Sequence, residues 1–200
     1  MSSYLPWCFR ACLDCVQGPS FAEATYYKRM KNEPAVKLDV NKTGSDVIIL
    51  KEGERICGTG SALCTAPLVQ NKSYWQVDIQ QTGSWCVGLA TTECGLSEAP
   101  PRKGFWGMNE KGELISNGEV VGKTEKIVEE GDSIGLTYDH LELKFYVNGD
   151  PLTDVVTNVR GKVFPAVFVD ESAILDARFS DFSKPPPKDF SEILLEQTIL

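Results

Sequence analysis

Residues 131–149, GDSIGLTYDHLELKFYVNG, constrain the fold of this chain more than any other stretch. Ile134, Leu136 and Tyr138 alternate with Ser133, Gly135 and Thr137. Beyond Asp139-His140, the series Leu141, Leu143, Phe145, Val147 alternates with Glu142, Lys144 and Tyr146. A period of two puts alternate side chains on one face of a strand. With Asp139-His140 as a two-residue turn, Tyr138 faces Leu141, Leu136 faces Leu143 and Ile134 faces Phe145, which gathers the apolar residues of both strands on one side. Burying each of these side chains is worth about 1.5 to 3 kcal/mol, and ordering each residue's backbone costs about 1 to 2 kcal/mol. The hairpin alone is therefore marginal, and the rest of the chain must supply a second apolar sheet to cover it.

Short strands separated by turn signals run through the remainder. Val36, Leu38 and Val40 read as a first strand. Residues 46–50 carry Val-Ile-Ile-Leu and read as a strand buried on both faces or at a sheet centre. Arg55-Ile56-Cys57 follows a turn, and residues 58–68 read as an irregular loop of small residues. Residues 74–79 and 83–91 alternate strictly, with Trp75 and Trp85 on their core faces. Residues 92–103 read as a long exposed loop that ends at Phe105-Trp106. Asn117-Gly118 marks a hairpin between residues 113–116 and 119–122. Residues 150–160 read as a polar connection, and residues 163–169 and 173–179 form two further strands joined by Asp170-Glu171-Ser172. About ten strands without a long amphipathic helix indicate an all-β fold, an antiparallel β-sandwich of two bent sheets.

Three regions follow. Residues 1–33 are a Cys-rich tail with a short helix announced by the capping box Ser20-Phe21-Ala22-Glu23; residues 34–182 are the sandwich; residues 183–200 are a tail containing Pro185-Pro186-Pro187 and apolar enough to return to the sandwich. A net charge of -8, with Lys28-Arg29-Met30-Lys31 as the one local basic cluster, argues against a nucleic-acid partner. No apolar run is long enough to span a bilayer, and Arg10 and Asp14 interrupt any leader-like segment, so the chain reads as cytoplasmic. Seven cysteines, three of them within the first fifteen residues, do not resemble an extracellular disulfide framework. Cys57, Cys64, Cys86 and Cys94 read as reduced, small apolar fillers.

The inventory for catalysis is thin, and no enzymatic activity, cofactor or metal site is expected. His140 is the single histidine and is explained by its turn, whose left-handed positions Asp and His tolerate. Asp170-Glu171 and Glu129-Glu130 read as solvated turn charges rather than an acid/base pair. Gly58-x-Gly60 lacks the third glycine and following helix of a phosphate loop. Cys8-x3-Cys12-x2-Cys15 copies an iron-sulfur spacing, but the chain offers no α/β barrel to hold such a cluster, and a structural zinc lacks a nearby fourth ligand. Reversible S-acylation of Cys8, Cys12 and Cys15 beside Trp7, Phe9 and Leu13 would give peripheral membrane association, and a plain tail with reduced thiols is the equal alternative. Ser2 rules out myristoylation.

The ordered set Ser73-Tyr74-Trp75-Gln76-Val77-Asp78-Ile79, Trp85-Cys86-Val87-Gly88-Leu89-Ala90, Gly131-Asp132-Ser133-Ile134-Gly135-Leu136-Thr137-Tyr138-Asp139, Phe145-Tyr146-Val147-Asn148-Gly149 and Val163-Phe164-Pro165-Ala166-Val167 resembles the SPRY domain, the core of the larger B30.2 module, over residues 34–182. The resemblance implies a monomeric, non-enzymatic protein-interaction module whose rim loops bind a peptide segment of a partner. It also implies a binding set at Arg55, Gly58, Thr59, Gly60, Ser61 and Ala62, then Thr91, then Phe105 and Trp106, then Asp170, Glu171 and Ser172. The acidic turn Asp170-Glu171 favours a basic or neutral ligand. The alternative is a lectin-like sandwich, for which Trp106 beside Asn109 is the candidate glycan platform.

Overall fold

The computed structural model describes residues 35–98 and 100–195. The capping-box helix and Cys8, Cys12 and Cys15 lie outside them. Thirteen strands are present among the described residues: β1 (Leu38–Thr43), β2 (Asp46–Leu50), β3 (Arg55–Cys64), β4 (Ser73–Gln81), β5 (Ser84–Thr91), β6 (Phe105–Asn109), β7 (Glu113–Ser116), β8 (Glu119–Lys123), β9 (Ser133–Tyr138), β10 (Glu142–Val147), β11 (Asp150–Thr157), β12 (Val163–Asp170) and β13 (Ile174–Arg178). The hydrogen-bonded path runs β11-β10-β9-β4-β13-β3-β12-β5-β6-β7-β8, and β1 and β2 both pair with β3. The named strand pairs are antiparallel.

β3 turns this single path into a sandwich. Its first residues, Arg55 and Ile56, pair with β13 and β2, whereas Gly60, Ser61, Ala62 and Leu63 pair with β12. The change of sheet occurs at Gly58 and Gly60, whose φ values of +97° and +128° lie where an L side chain is strained. A Cβ at Gly58 would also overlap the Asp46 carbonyl oxygen. The small residues that read as an irregular loop are thus a bent strand through which both half-sheets are joined. Between the halves lie Trp75, Trp85, Leu89, Met108, Leu136, Phe145 and Val167. The outer face of the β12-β5-β6 half carries a second cluster, Leu63, Cys86, Phe105, Phe164 and Phe168.

The residues 131–149 hairpin forms with a register two residues from the one expected. Tyr138 opposes Leu143, Leu136 opposes Phe145 and Ile134 opposes Val147. The loop has four residues, because the Asp139 carboxylate accepts the backbone N–H groups of both Leu141 and Glu142 and His140 takes a φ of +67°. A shift of two preserves the face, so Ile134, Leu136, Leu143, Phe145 and Val147 are fully buried, and only Leu141 is released to solvent, 74% exposed.

β2 is not central. Among the described residues it pairs only with β3, and Ile48 and Leu50 are exposed. Val40 is exposed as well, since β1 is a short strand with a register break between Leu38 and Thr43. Residues 150–157, expected as a polar connection, form the edge strand β11, which tolerates Pro151 on its unpaired side and buries Val156. Residues 92–98 are only partly an exposed loop: Cys94 is buried and Leu96 packs on the outer cluster. Beyond β13 the chain crosses to β4. Phe182 meets Tyr74 edge to face, Ser183 exchanges two hydrogen bonds with the Gln76 amide, Ser191 bridges Ser73, and Ile193 enters the main core. Among the described residues, no helix is long and apolar enough to cross a membrane.

Candidate interaction surface

The alternation of β3 points Arg55, Cys57 and Thr59 to the outside, because Ile56 between them is fully buried. Cross-strand pairing sets Leu50, Ile48 and Asp46 of β2 directly beside them, and Asp176 of β13 beside Arg55 on the other flank. Arg55 donates from Nε to Asp176 Oδ1 at 2.6 Å and from Nη2 to Oδ2 at 2.8 Å, a bidentate pair, and reaches Gln80 Oε1 at 3.1 Å. Lys51 Nζ joins at 2.9 Å. Burial pushes the Asp176 carboxyl up, but the hydrogen bonds from Arg55 and Lys51 outweigh it and hold the group below its ordinary value. The same hydrogen bond raises the Arg55 guanidinium.

The turn between β12 and β13 adjoins this row. Thr59 Oγ1 donates to Asp170 Oδ1 at 3.0 Å, and the same oxygen accepts the Glu171 N–H at 2.8 Å. Glu171 and Ser172 sit at φ values of +48° and +68°. The Ser172 carbonyl accepts from Gln81 Nε2 at 2.9 Å, and Gly83 leaves room for the Glu171 carbonyl, which a Cβ would meet. The turn is thereby held by hydrogen bonds of the fold itself. Residues 92–98 reach the same corner from the far end of the sheet: the Leu96 carbonyl accepts the Ser61 N–H at 2.7 Å and Ser97 Oγ accepts the Ser45 N–H at 3.2 Å.

The binding set expected from the sequence therefore divides. Arg55, Thr59, Asp170, Glu171 and Ser172 gather on one surface. Gly58 and Gly60 are the bends beneath it, and Ser61 and Ala62 are buried. Thr91 opposes Val163, whereas Asp170 opposes Ser84, so Thr91 stands at the opposite end of β5, about 23 Å away at the usual rise per residue. Phe105 lies in the outer cluster and Trp106 in the main core, and neither is an exposed anchor. Trp106 instead borders a cavity of about 400 Å3 with Asn117, Asn158 and Arg160. The glycan platform is not assembled, because Trp106 is 5% exposed and Asn109 is occupied by its own turn, donating to Glu113 and accepting from the Lys111 and Glu113 N–H groups. Ile48 and Leu50 on this surface, and the buried Asp176 that holds Arg55 and Lys51 from beneath it, were missed. Ile48 and Leu50 were hidden by reading an apolar run as interior, and no local signal in ILDAR tells which side Asp176 faces.

Burial pushes the thiols of Cys64 and Cys94 up to about 11 and that of Cys86 higher still, which removes them as nucleophiles. Cys57, by contrast, is half-buried and offers its thiol to the Ile48 carbonyl. His140 Nε2 is hydrogen-bonded to the Gln70 carbonyl at 2.9 Å at a hairpin tip. Among the described residues no group of three or more His, Cys, Asp or Glu is placed to hold a metal ion.

The SPRY domain family model matches residues 72–180. SPRY domain-containing protein 7 from Mus musculus is 43% identical over 197 residues, covering 96% of this chain and 97% of that protein. The Homo sapiens protein of the same name is 41% identical over 203 residues, with both chains covered in full. Among solved structures, the SPRY domain of human HERC1 superposes with a TM-score of 0.59 at 17% identity, over 70% of this chain and 96% of that one. The TRIM65 PSpry domain gives 0.58 at 13%, over 77% and 97%.

Proposed function

The chain belongs to the SPRY domain family, whose fold is commonly a protein-interaction domain, and from that premise we propose that it is a non-enzymatic module that binds a peptide segment of a partner on the surface made by β2, β3 and the β12–β13 turn. The observation that carries this reading is the juxtaposition of two exposed aliphatic side chains, Ile48 and Leu50, with polar groups already locked in place, Arg55 on Asp176 and Thr59 on Asp170. A surface ordered before binding loses little entropy on capture of a ligand. Lys51 and Arg55 are both committed to Asp176, which leaves Asp46, Asp170 and Glu171 to set the sign of the surface. The ligand is an extended segment with an aliphatic residue and a neutral or basic flank.

Selection of peptides from a display library on the full chain tests this. Recovered sequences combine an aliphatic residue with Lys or Arg, and Glu171→Lys weakens their binding about tenfold or more, while Arg160→Glu at the opposite end leaves it unchanged. Peptides whose binding ignores Glu171→Lys would place the ligand elsewhere. Membrane attachment through Cys8, Cys12 and Cys15 rests on their spacing beside Trp7, Phe9 and Leu13. It predicts a hydroxylamine-sensitive label on the wild type that is lost when the three cysteines are changed to serine.

A further inference from the structure

A second peptide groove is already filled. The segment Asp189-Phe190-Ser191-Glu192-Ile193 lies along the start of β4. The Gln70 amide reads its backbone from both sides, accepting the Leu194 N–H on Oε1 at 2.7 Å and donating from Nε2 to the Glu192 carbonyl at 2.9 Å. Tyr74 N–H donates to the Ser191 carbonyl at 2.8 Å, at a position on β4 where β13 no longer provides a partner. Ile193, 4% exposed, is the anchor in the main core. Lys72 supplies the remaining selectivity, 3.8 Å from the Asp189 carboxylate and 5.4 Å from the Phe190 ring centroid.

From this geometry we infer that the Gln70–Ser73 groove is a peptide-docking site occupied in cis by the chain's own C-terminal segment, and that it takes a partner segment of the form acidic–aromatic–x–x–aliphatic in exchange. Backbone-directed hydrogen bonds do not depend on side-chain identity, so the groove asks of its occupant an extended chain, one aliphatic side chain at the anchor and an acidic-aromatic pair for Lys72. The tether is the exposed or half-buried run Lys184-Pro185-Pro186-Pro187-Lys188, whose prolines cannot donate to a ladder and which ends in a turn closed by the Phe190 N–H on the Pro187 carbonyl at 3.1 Å, so the segment can leave without disturbing β13. The inference is independent of the surface at Arg55. Asp78, which opposes Asp176 beside that surface, is five residues along β4 from Ser73. The two sites also demand ligands of opposite charge.

The test uses the full chain and a labelled peptide of sequence KDFSEILL, its own residues 188–195. In the wild type the tethered copy competes at an effective concentration in the millimolar range, so peptide binds weakly. Ile193→Asp expels the tethered copy, and the peptide then binds at least tenfold more tightly; adding Gln70→Ala removes that gain. No binding by a folded Ile193→Asp chain, or a gain insensitive to Gln70→Ala, overturns the inference. If Ile193→Asp does not fold, native-state hydrogen exchange on the wild type decides. The Leu194 and Tyr74 amides must open together at least a hundredfold more often than the Val77 amide of the same strand, and exchange of all three only by global unfolding makes the segment a fixed part of the fold.

Discussion

The β9–β10 hairpin and β3 belong to one sandwich but are opposites in sequence. The hairpin alternates because each strand turns its apolar residues to the main core and has hydrogen-bonded partners on both sides: β9, whose Ser133, Gly135 and Thr137 are buried as well, lies between β4 and β10, and β10 between β9 and β11. β3 alternates too, with Ile56, Ala62 and Cys64 buried in the main core and Arg55, Cys57 and Thr59 outside. Its pattern is obscured because two of its residues are glycines set by how closely other backbone approaches them. Gly58 lies against Asp46 and Gly60 against Leu96. Periodicity reports burial, whereas small residues report crowding, and the strand that holds the surface together is written in the second language.

Four substitutions probe this contrast in order of expected effect. Phe145→Ala empties a fully buried site in the hairpin and should cost about 3 to 5 kcal/mol in urea unfolding while leaving the β2–β3 surface intact in the remaining folded population. Gly58→Ala adds one methyl group to β3, yet the positive φ and the contact with Asp46 should make it cost about 2 to 4 kcal/mol. A cost near zero would show that the bend is not required. Asp176→Asn strips the charge partner of Arg55 and Lys51 and should cost about 1 to 3 kcal/mol at pH 7.

That third effect has a defined pH dependence. Asp176 has a lowered folded-state value, so its contribution is complete above the unfolded value near about 3.9 and is lost as pH falls through the folded value. The wild type and Asp176→Asn should therefore converge in stability below that range, and a constant difference down to strongly acid pH would deny the ion pair its role. The smallest effect belongs to Leu141→Ser, within about 0.5 kcal/mol, since the four-residue loop leaves this side chain in solvent. A cost of about 2 kcal/mol would restore the two-residue turn, in which Leu141 faces Tyr138.

Most of the architecture was legible because alternation survives errors of register: shifting the hairpin by two residues moved only Leu141 out of the core. The Asn117-Gly118 turn was legible for a stronger reason, since both residues take positive φ and Ser116 pairs with Glu119 across it. What failed were edges. The Val-Ile-Ile-Leu run of β2 looks interior, but pattern alone does not reveal whether a strand has one neighbour or two, and β11 was hidden by Pro151 and its acidic residues. The site was half legible. Arg55, Thr59 and the Asp170 turn come together because β3 and β12 pair, while Thr91 and Trp106 lie beyond the reach of that surface by the length of a strand.

The proposed binding of partners on the β2–β3 surface turns on Ile48 and Leu50. Proximity labelling in cells with the full chain, wild type beside the double variant Ile48→Glu, Leu50→Glu, tests it directly. Both side chains are about half exposed, so the variant should fold with an unchanged melting profile. The most enriched partners of the wild type should disappear from the variant and persist with Arg160→Glu; an identical partner list for wild type and double variant would rule this surface out.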